Sequence, residues 1–239
     1  MATHTEAELP GELFRRILNH MTNHIVLNQT CGISRVPRSV SQNAVTDAPN
    51  SLAILQQQID GCQRCALHAN RTHIVFGDGL SHVDVMVIGE KPDEHDDLQG
   101  LPFVGPAGEL LTKILAAIQL TRNDVYMTNI VKCRPPDNRP PETDEIAACA
   151  PFLHQQIMCV QPKIICTLGP IATQFLIRSD APLSQLRGRF HDYGKPHGEL
   201  RDGIRIMPTY HPAYLLQYPE YKRQVWQDMQ KVQQMYRAL

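Results

Sequence analysis

The sequence has 239 residues, of which 42% are hydrophobic, and its formal net charge is −1 with a pI near 6.8. No apolar run approaches the roughly 18 residues of a membrane span, and the polar, acidic N-terminus does not resemble a secretory signal. We therefore expect a cytoplasmic globular protein without a membrane partner, whose near-neutral charge neither demands nor excludes nucleic acid. Its seven cysteines are expected to be thiols or metal ligands rather than disulfides.

The first 50 residues differ in pattern from the rest of the chain. Apolar residues recur at near-helical spacing over residues 11–26, which predicts a short amphipathic helix. Residues 27–49 are rich in Ser, Asn, Thr, Gly and Pro, which predicts a flexible linker. We therefore predict a helix and linker over residues 1–50 and a single folded domain over residues 51–239.

The domain alternates short apolar runs with helical patterns. Such alternation predicts an α/β fold whose parallel sheet is covered by helices on both faces. The predicted strands span residues 83–89, 124–131, 163–169 and 204–209, and the predicted helices span residues 51–60, 108–117, 143–159, 170–178 and 220–236. Ligands in such folds bind at the carboxyl ends of strands, which here carry Gly89-Glu90, Asn129 and Tyr210-His211.

Four cysteines form a candidate metal site. Cys62 and Cys65 make a C-x2-C pair, and Cys133 and Cys149 flank a segment too rich in proline to be regular structure. Four thiolates suit either tetrahedral zinc or a four-iron cluster, and four unrelated thiols are the alternative. The spacing does not choose among these. We predict that the remaining cysteines are a free thiol in the linker and two buried packing residues, namely Cys31, Cys159 and Cys166.

Several motifs in order resemble the family 4 uracil-DNA glycosylases, the iron–sulfur type. They are the four cysteines and the segments 89–92, 100–108, 126–136 and 210–216. The resemblance runs from about residue 58 to the C-terminus and implies a three-layer α/β/α sandwich with a four-stranded parallel sheet. It also implies a [4Fe–4S] cluster on Cys62, Cys65, Cys133 and Cys149. The implied reaction is hydrolysis of the N-glycosidic bond of deoxyuridine in DNA, which leaves an abasic site.

The chemistry of base excision suits the residues at the predicted strand ends. Phe103, in a loop shaped by glycine and proline, is a candidate ring for stacking on a flipped base. A rigid Asn129 carboxamide can match N3–H and O4 of uracil and oppose cytosine, which reverses both groups. The structural alternatives are a core phenylalanine and a turn or capping asparagine.

The resemblance assigns further roles. His211 donates a hydrogen bond to uracil O2 and stabilises the departing base, and Asp96 positions the attacking water, where the family has the longer Glu. Glu90, next to Gly89, lines the pocket near uracil C5 and helps to exclude thymine. Without the resemblance, the acidic segment 93–97 reads as a solvated loop.

Cations near loop ends predict a surface rim that faces DNA. The DNA substrate is expected to be single- or double-stranded. The enzyme is expected to act as a monomer. Affinity for phosphate at such a rim falls with salt. The candidate cations are Lys132, Arg134, Arg139, Arg187, Arg189, Lys222 and Arg223.

Two residues depart from the family pattern. Lys91 stands where a small residue is usual, and Asp93 stands where a glycine is usual. One explanation is that Lys91 and Asp93 form an ion pair, so that each substitution compensates the other. The alternative is that the loop has lost its function and changed freely, which would indicate an iron–sulfur DNA-binding relative with weak or altered glycosylase activity. A zinc-stapled nucleotide hydrolase is a further alternative, but the chain lacks a G-x-x-x-x-G-K phosphate-binding signature.

Overall fold

The computed structural model describes residues 48–194 and 203–239. Ala48–Leu239 form one compact unit. The predicted helix over 11–26, most of the predicted linker and Cys31 lie outside the described residues. The predictions for them stay predictions.

A five-stranded sheet forms the centre of the unit, in the order β2-β1-β3-β5-β4. Four strands are parallel, as predicted, and β4 is a short antiparallel edge strand next to β5. The predicted count of four is therefore wrong by one, because two residues are too few to produce a recognisable apolar pattern. The strands are β1 Val85–Gly89, β2 Val125–Asn129, β3 Ile164–Leu168, β4 His191–Asp192 and β5 Arg205–Thr209.

Eight helices and four short 3₁₀ turns are described. The helices are α1 Ala48–Ile59, α2 Glu94–Gln99, α3 Pro106–Ala117, α4 Thr143–Val160, α5 Pro170–Ile177, α6 Leu183–Leu186, α7 Pro212–Gln217 and α8 Lys222–Tyr236. The 3₁₀ turns are Ala66–Ala69, Arg122–Asp124, Pro136–Asn138 and Pro219–Tyr221. All five predicted helices are present, whereas the three helices of four to six residues were not predicted. No helix of the described ranges is long and apolar enough to cross a membrane.

Strand residues alternate between two hydrophobic cores, one on each face of the sheet. In β1, Met86 and Ile88 pack with residues of α1, α4 and α5, whereas Val85 and Val87 pack with residues of α3, α7 and α8. The predicted three-layer α/β/α class is confirmed. Cys166 is buried in β3 as predicted, but Cys159 on α4 is only partly buried.

The sheet order places the carboxyl ends of the central strands at a switch point. From β1 the chain crosses outward to β2, and later returns to place β3 on the other side of β1. Gly89 and Asn129 are register partners at the ends of β1 and β2. A crevice that can hold a ligand is expected beside these ends, because the covering helices diverge there.

Candidate active site

A cavity of about 330 Å³ opens at the carboxyl ends of the strands. It is lined by Glu90, Lys91, Asp93, Asp96, Phe103, Ala107, Gly108, Pro170, His211, Ala213, Tyr214 and Gln217. The structure thus brings together four predicted site residues, Glu90, Asp96, Phe103 and His211. The other two, Gly89 and Asn129, do not line the cavity but lie close to Phe103 at the ends of β1 and β2.

The Asn129 carboxamide is buried, with 1% of the residue exposed. Its Oδ1 and Nδ2 have no hydrogen-bond partner among the described residues. Gly89 leaves the space for it, since a Cβ at position 89 would lie 2.3 Å from Asn129 Oδ1 and 2.8 Å from Phe103 Cζ. An unpaired buried polar group costs about 1–3 kcal/mol, and native proteins therefore keep few of them. These two atoms mark a position for a ligand that both donates and accepts.

The backbone of the Phe103 loop is held from two sides. Phe103 adopts a left-handed conformation with φ 57°. Arg122 donates from Nη1 to the Phe103 carbonyl and from Nη2 to the Pro102 carbonyl, both at 3.0 Å. On the other side, a Cβ on Gly108 would lie 1.7 Å from the Phe103 oxygen, so only glycine fits there. The predicted loop around Phe103, with a conformation set by glycine and proline, is present. Arg122 lies outside every motif, and its role in holding the loop was not predicted.

His211 is the N-cap of α7, and its ring faces the cavity. The Ala213 backbone N–H donates to His211 Nδ1 at 3.1 Å, which places the ring proton on Nε2. Burial, and secondarily the charge of Lys91, lowers the pKa of His211 to about 4. The His211 and Phe103 ring centroids are 6.1 Å apart. The imidazole is therefore neutral near pH 7 and can donate from Nε2 beside the Phe103 ring.

Two carboxylates of the cavity are tied to backbone amides. Glu90 Oε1 accepts from the Ile171 N–H at 2.9 Å, and Asp96 Oδ1 accepts from the Val104 N–H at 2.9 Å. Burial raises the pKa of both carboxyl groups. The solvated-loop interpretation of segment 93–97 is wrong, because Asp96 is buried and forms part of helix α2.

The two departures from the family pattern fit the local backbone. Asp93 has φ −92°, so this position does not require glycine, and its side chain caps α2 by accepting from the Asp96 N–H at 3.0 Å. Aspartate is among the best N-caps. No direct salt bridge joins Lys91 to Asp93 in the described ranges, and Asp93 Oδ1 lies 3.8 Å from His95 Nδ1 instead. The negative charge of Asp93 still acts to raise the pKa of Lys91, so the predicted compensation stays a prediction. Lys91 lines the cavity, and burial lowers its pKa.

Most of the predicted DNA-facing cations are engaged within the protein. Lys132 is fully buried, and its Nζ donates to Thr128 Oγ1 at 2.6 Å and to the Asn129 carbonyl at 2.5 Å. The predicted phosphate contact is therefore wrong for Lys132. Three arginines bond to acceptors of the chain itself, since Arg134 pairs with Asn138 and Glu94, Arg139 with Glu145, and Arg187 with Asp228. Arg189, Lys222 and Arg223 are exposed.

The four predicted cysteine ligands line a second cavity, near α1 and α4. Three basic side chains, Arg64, Arg71 and Lys132, also line this cavity. Arg71 Nη1 donates a hydrogen bond to Cys133 Sγ at 3.4 Å. None of the four cysteines, Cys62, Cys65, Cys133 and Cys149, forms a disulfide. No three His, Cys, Asp or Glu side chains in the described ranges stand close enough to hold a single metal ion. Four thiols opposed by three cations nevertheless suit an anionic iron–sulfur cluster.

The fold and the cavity are those of a base-excision enzyme. A family model described as the Uracil DNA glycosylase superfamily matches residues 76–230. This span includes β1 to β5 and every residue of the first cavity.

Proteins named type-4 uracil-DNA glycosylase are similar over most of the chain. One from Saccharolobus solfataricus is 40% identical over 190 residues, which cover 77% of this chain and 86% of the relative. One from Thermotoga maritima is 39% identical over 183 residues, which cover 75% and 92%. One from Archaeoglobus fulgidus is 35% identical over 189 residues, which cover 76% and 92%. The chain therefore belongs to the type-4 uracil-DNA glycosylases, and the predicted family is confirmed.

Proposed function

We propose that this chain excises uracil from DNA by hydrolysing the N-glycosidic bond of deoxyuridine and leaves an abasic site. As a type-4 uracil-DNA glycosylase, it is a DNA-repair hydrolase that acts on N-glycosyl bonds. The observation that carries the proposal is the buried, unpaired carboxamide of Asn129 between Gly89 and Phe103. A flipped uracil supplies the donor and the acceptor that these two atoms lack.

Five residues of the cavity and the neighbouring Asn129 have roles in this reaction. The Phe103 ring stacks on the extruded base, and Asn129 pairs with its N3–H and O4. His211 Nε2–H donates to O2, where negative charge develops as the glycosidic bond breaks. Lys91 adds a positive charge to the same cavity, which favours an anionic leaving group. Asp96 places the water that attacks the sugar, and Glu90 shapes the wall near C5.

An excision assay tests the proposal. We expect release of uracil from oligonucleotides containing one deoxyuridine, detected as strand cleavage at the abasic site under alkali. Single- and double-stranded substrates are compared, because the sequence predicts either, and matched strands with cytosine or thymine serve as controls. Binding of these strands without cleavage would favour the alternative, a DNA-binding relative with weak or altered activity.

The role of Asp96 predicts a pH dependence. Asp96 must be ionised to orient water, and burial raises its pKa, so the rate should fall on the acid side at a higher pH than an exposed aspartate would give. Asp96→Asn should lower the single-turnover rate and abolish this acid limb. Glu90→Gln is the comparison, because Glu90 also lines the cavity. An acid limb that persists in Asp96→Asn and disappears in Glu90→Gln would transfer the role to Glu90.

We also propose that Cys62, Cys65, Cys133 and Cys149 hold a [4Fe–4S] cluster. The four thiols line one cavity, and Arg64, Arg71 and Lys132 supply the positive charge that an anionic cluster needs. When bound, the cluster ties the C-x2-C loop, the segment after β2 and helix α4 together, so its binding contributes to folding stability.

Metal analysis of protein purified without oxygen tests the cluster. We expect brown protein with about four irons per chain, the number that a [4Fe–4S] cubane carries. Cys133→Ser should lose iron and lower the melting temperature. Cys159→Ser is the matched control, because Cys159 is a cysteine of the same helix as Cys149 but does not line the cavity. Zinc in place of iron, or full iron content in Cys133→Ser, would contradict this assignment.

A further inference from the structure

Four tyrosines form a cluster of rings beside the first cavity. Tyr214 lies at its centre, with ring centroids 5.4 Å from Tyr210, 4.6 Å from Tyr218 and 5.2 Å from Tyr221. Tyr210 and Tyr221 also contact each other edge to face at 5.0 Å. We call these four residues the tyrosine platform. Residues 210, 214 and 218 follow one another at four-residue spacing, so they share one face of α7 and its flanks.

The platform continues the wall of the cavity outward. Tyr214 lines the cavity together with Phe103 and His211, and Gln217 lines it one turn further along α7. Tyr218 lies at the outer end of the platform and is 45% exposed. This wall is one side along which a strand that places one base against Phe103 can leave the cavity.

A buried ion pair supports the platform from behind. The Arg187 guanidinium lies 5.6 Å from the Tyr210 ring centroid. It donates to both oxygens of the buried Asp228, at 2.6 Å and 3.0 Å, and Thr209 donates to the same carboxylate at 2.7 Å. The Tyr210 ring is therefore held in place from this side, and the ring contacts of Tyr214 with Tyr210 and Tyr218 extend the support to the rest of the platform. Rings that are held before a ligand arrives lose little conformational entropy when a base stacks on them.

We propose that the tyrosine platform binds an unpaired nucleobase next to the extruded uridine on the same strand, by stacking on the exposed ring of Tyr218. The proposal rests on the proposed function, because extrusion of the uridine brings its neighbour to this wall. Aromatic rings accept any base, since every base has a π-face. The exposed Lys222 and Arg223, which follow the platform directly in the sequence, suit the backbone of the same strand.

The platform favours single-stranded substrate. In a duplex, the neighbouring base is held by its pairing partner and by its own stack, and it must leave both before it can reach Tyr218. In a single strand, the base is free to turn onto the ring. The ratio of affinities for single- and double-stranded DNA should therefore depend on the ring at position 218.

Binding measurements with an uncleavable strand test the platform. The probe is a single-stranded oligonucleotide with 2′-fluoro-arabino-deoxyuridine, in which one neighbouring nucleotide at a time is replaced by an abasic tetrahydrofuran. We expect Tyr218→Ala to weaken binding of the intact strand about tenfold, the order that one base–aromatic stack contributes. Tyr218→Phe should bind like the parent, because it keeps the ring. Removing the base on one side of the uridine should weaken the parent but not Tyr218→Ala.

Salt dependence separates stacking from phosphate contact. Tyr218→Ala should leave the slope of log K against log salt unchanged, whereas Lys222→Ala should reduce it by about 0.7. Trp226→Ala is the control for an exposed aromatic, since Trp226 is 41% exposed and makes no ring contact in the described part of the chain. Parent-like binding by Tyr218→Ala, or an altered slope, would overturn the platform. Uracil excision by the parent protein is measured in a separate assay. Failure of the parent to excise uracil would count against the proposed function and not against the platform.

Discussion

Replacing His211 with alanine is expected to lower the single-turnover excision rate about 10²–10³-fold, the usual cost of removing one donor that stabilises developing charge. The neutral ring donates from Nε2, because Nδ1 accepts from the Ala213 N–H. Substrate binding should change less than the rate, since the charge on O2 appears only as the bond breaks. His82→Ala, at an exposed position outside the cavity, should behave like the parent.

The same residue predicts how activity and stability depend on pH. The pKa of His211 is lowered to about 4 in the folded protein, from an ordinary value near 6.5. Between these values the unfolded chain binds a proton that the folded chain does not, so His211 reduces stability as the pH falls from about 6.5 to 4. His211→Asn can still cap α7 and donate from its amide, so it should recover part of the rate and show no such titration. A parent rate that rises as His211 becomes protonated would contradict the neutral-donor role.

Replacing Asn129 with alanine is expected to lower kcat/KM for uracil about 10- to 100-fold, because each buried group that the substrate satisfies contributes about 1–3 kcal/mol. Preference for uracil over cytosine should fall with it. Gly89→Ala should have the same effect without removing the carboxamide, since the new Cβ would lie 2.3 Å from Asn129 Oδ1.

Controls separate recognition from folding. Asn123→Ala, at an exposed position in a 3₁₀ turn, should bind and cleave like the parent. Asn129→Ala should keep the melting temperature close to that of the parent, because its side chain forms no hydrogen bond within the protein. Gly89→Ala should lower the melting temperature, because its Cβ overlaps Asn129 and Phe103 in a buried site. Unchanged selectivity in both variants would remove Asn129 from base recognition.

The regular elements could be predicted because their patterns are long. The four parallel strands are five residues long and largely buried, with apolar residues at most positions, and the five longer helices carry clear periodicity. Asn129 ends β2 and His211 lies two residues after β5, so the α/β pattern placed both at the ligand-binding edge. Helix α2 was missed because its sequence is acidic rather than amphipathic, and its start depends on capping by Asp93.

Partners of charged side chains could not be predicted in the same way. Lys132, Arg139 and Arg187 looked like candidates for phosphate, but they bond to Asn129, Glu145 and Asp228, respectively. The contacts of Lys132 and Arg139 span only three and six residues and depend on the conformation of the chain after β2. The Arg187–Asp228 contact joins positions 41 residues apart, and no local pattern records it. Arg122 was missed for the same reason, since it reaches the Phe103 loop from a 3₁₀ turn 19 residues away.

The burial of the Asn129 carboxamide has a consequence for how the enzyme searches DNA. Water does not reach its polar atoms, so under the proposed function a base can pair with them only after the side chains that cover them have moved. Comparison of the hydrogen-bonding edge of a base with the carboxamide would then be the last step of recognition and not the first. Normal bases that fail to enter the site would be rejected before that comparison is made.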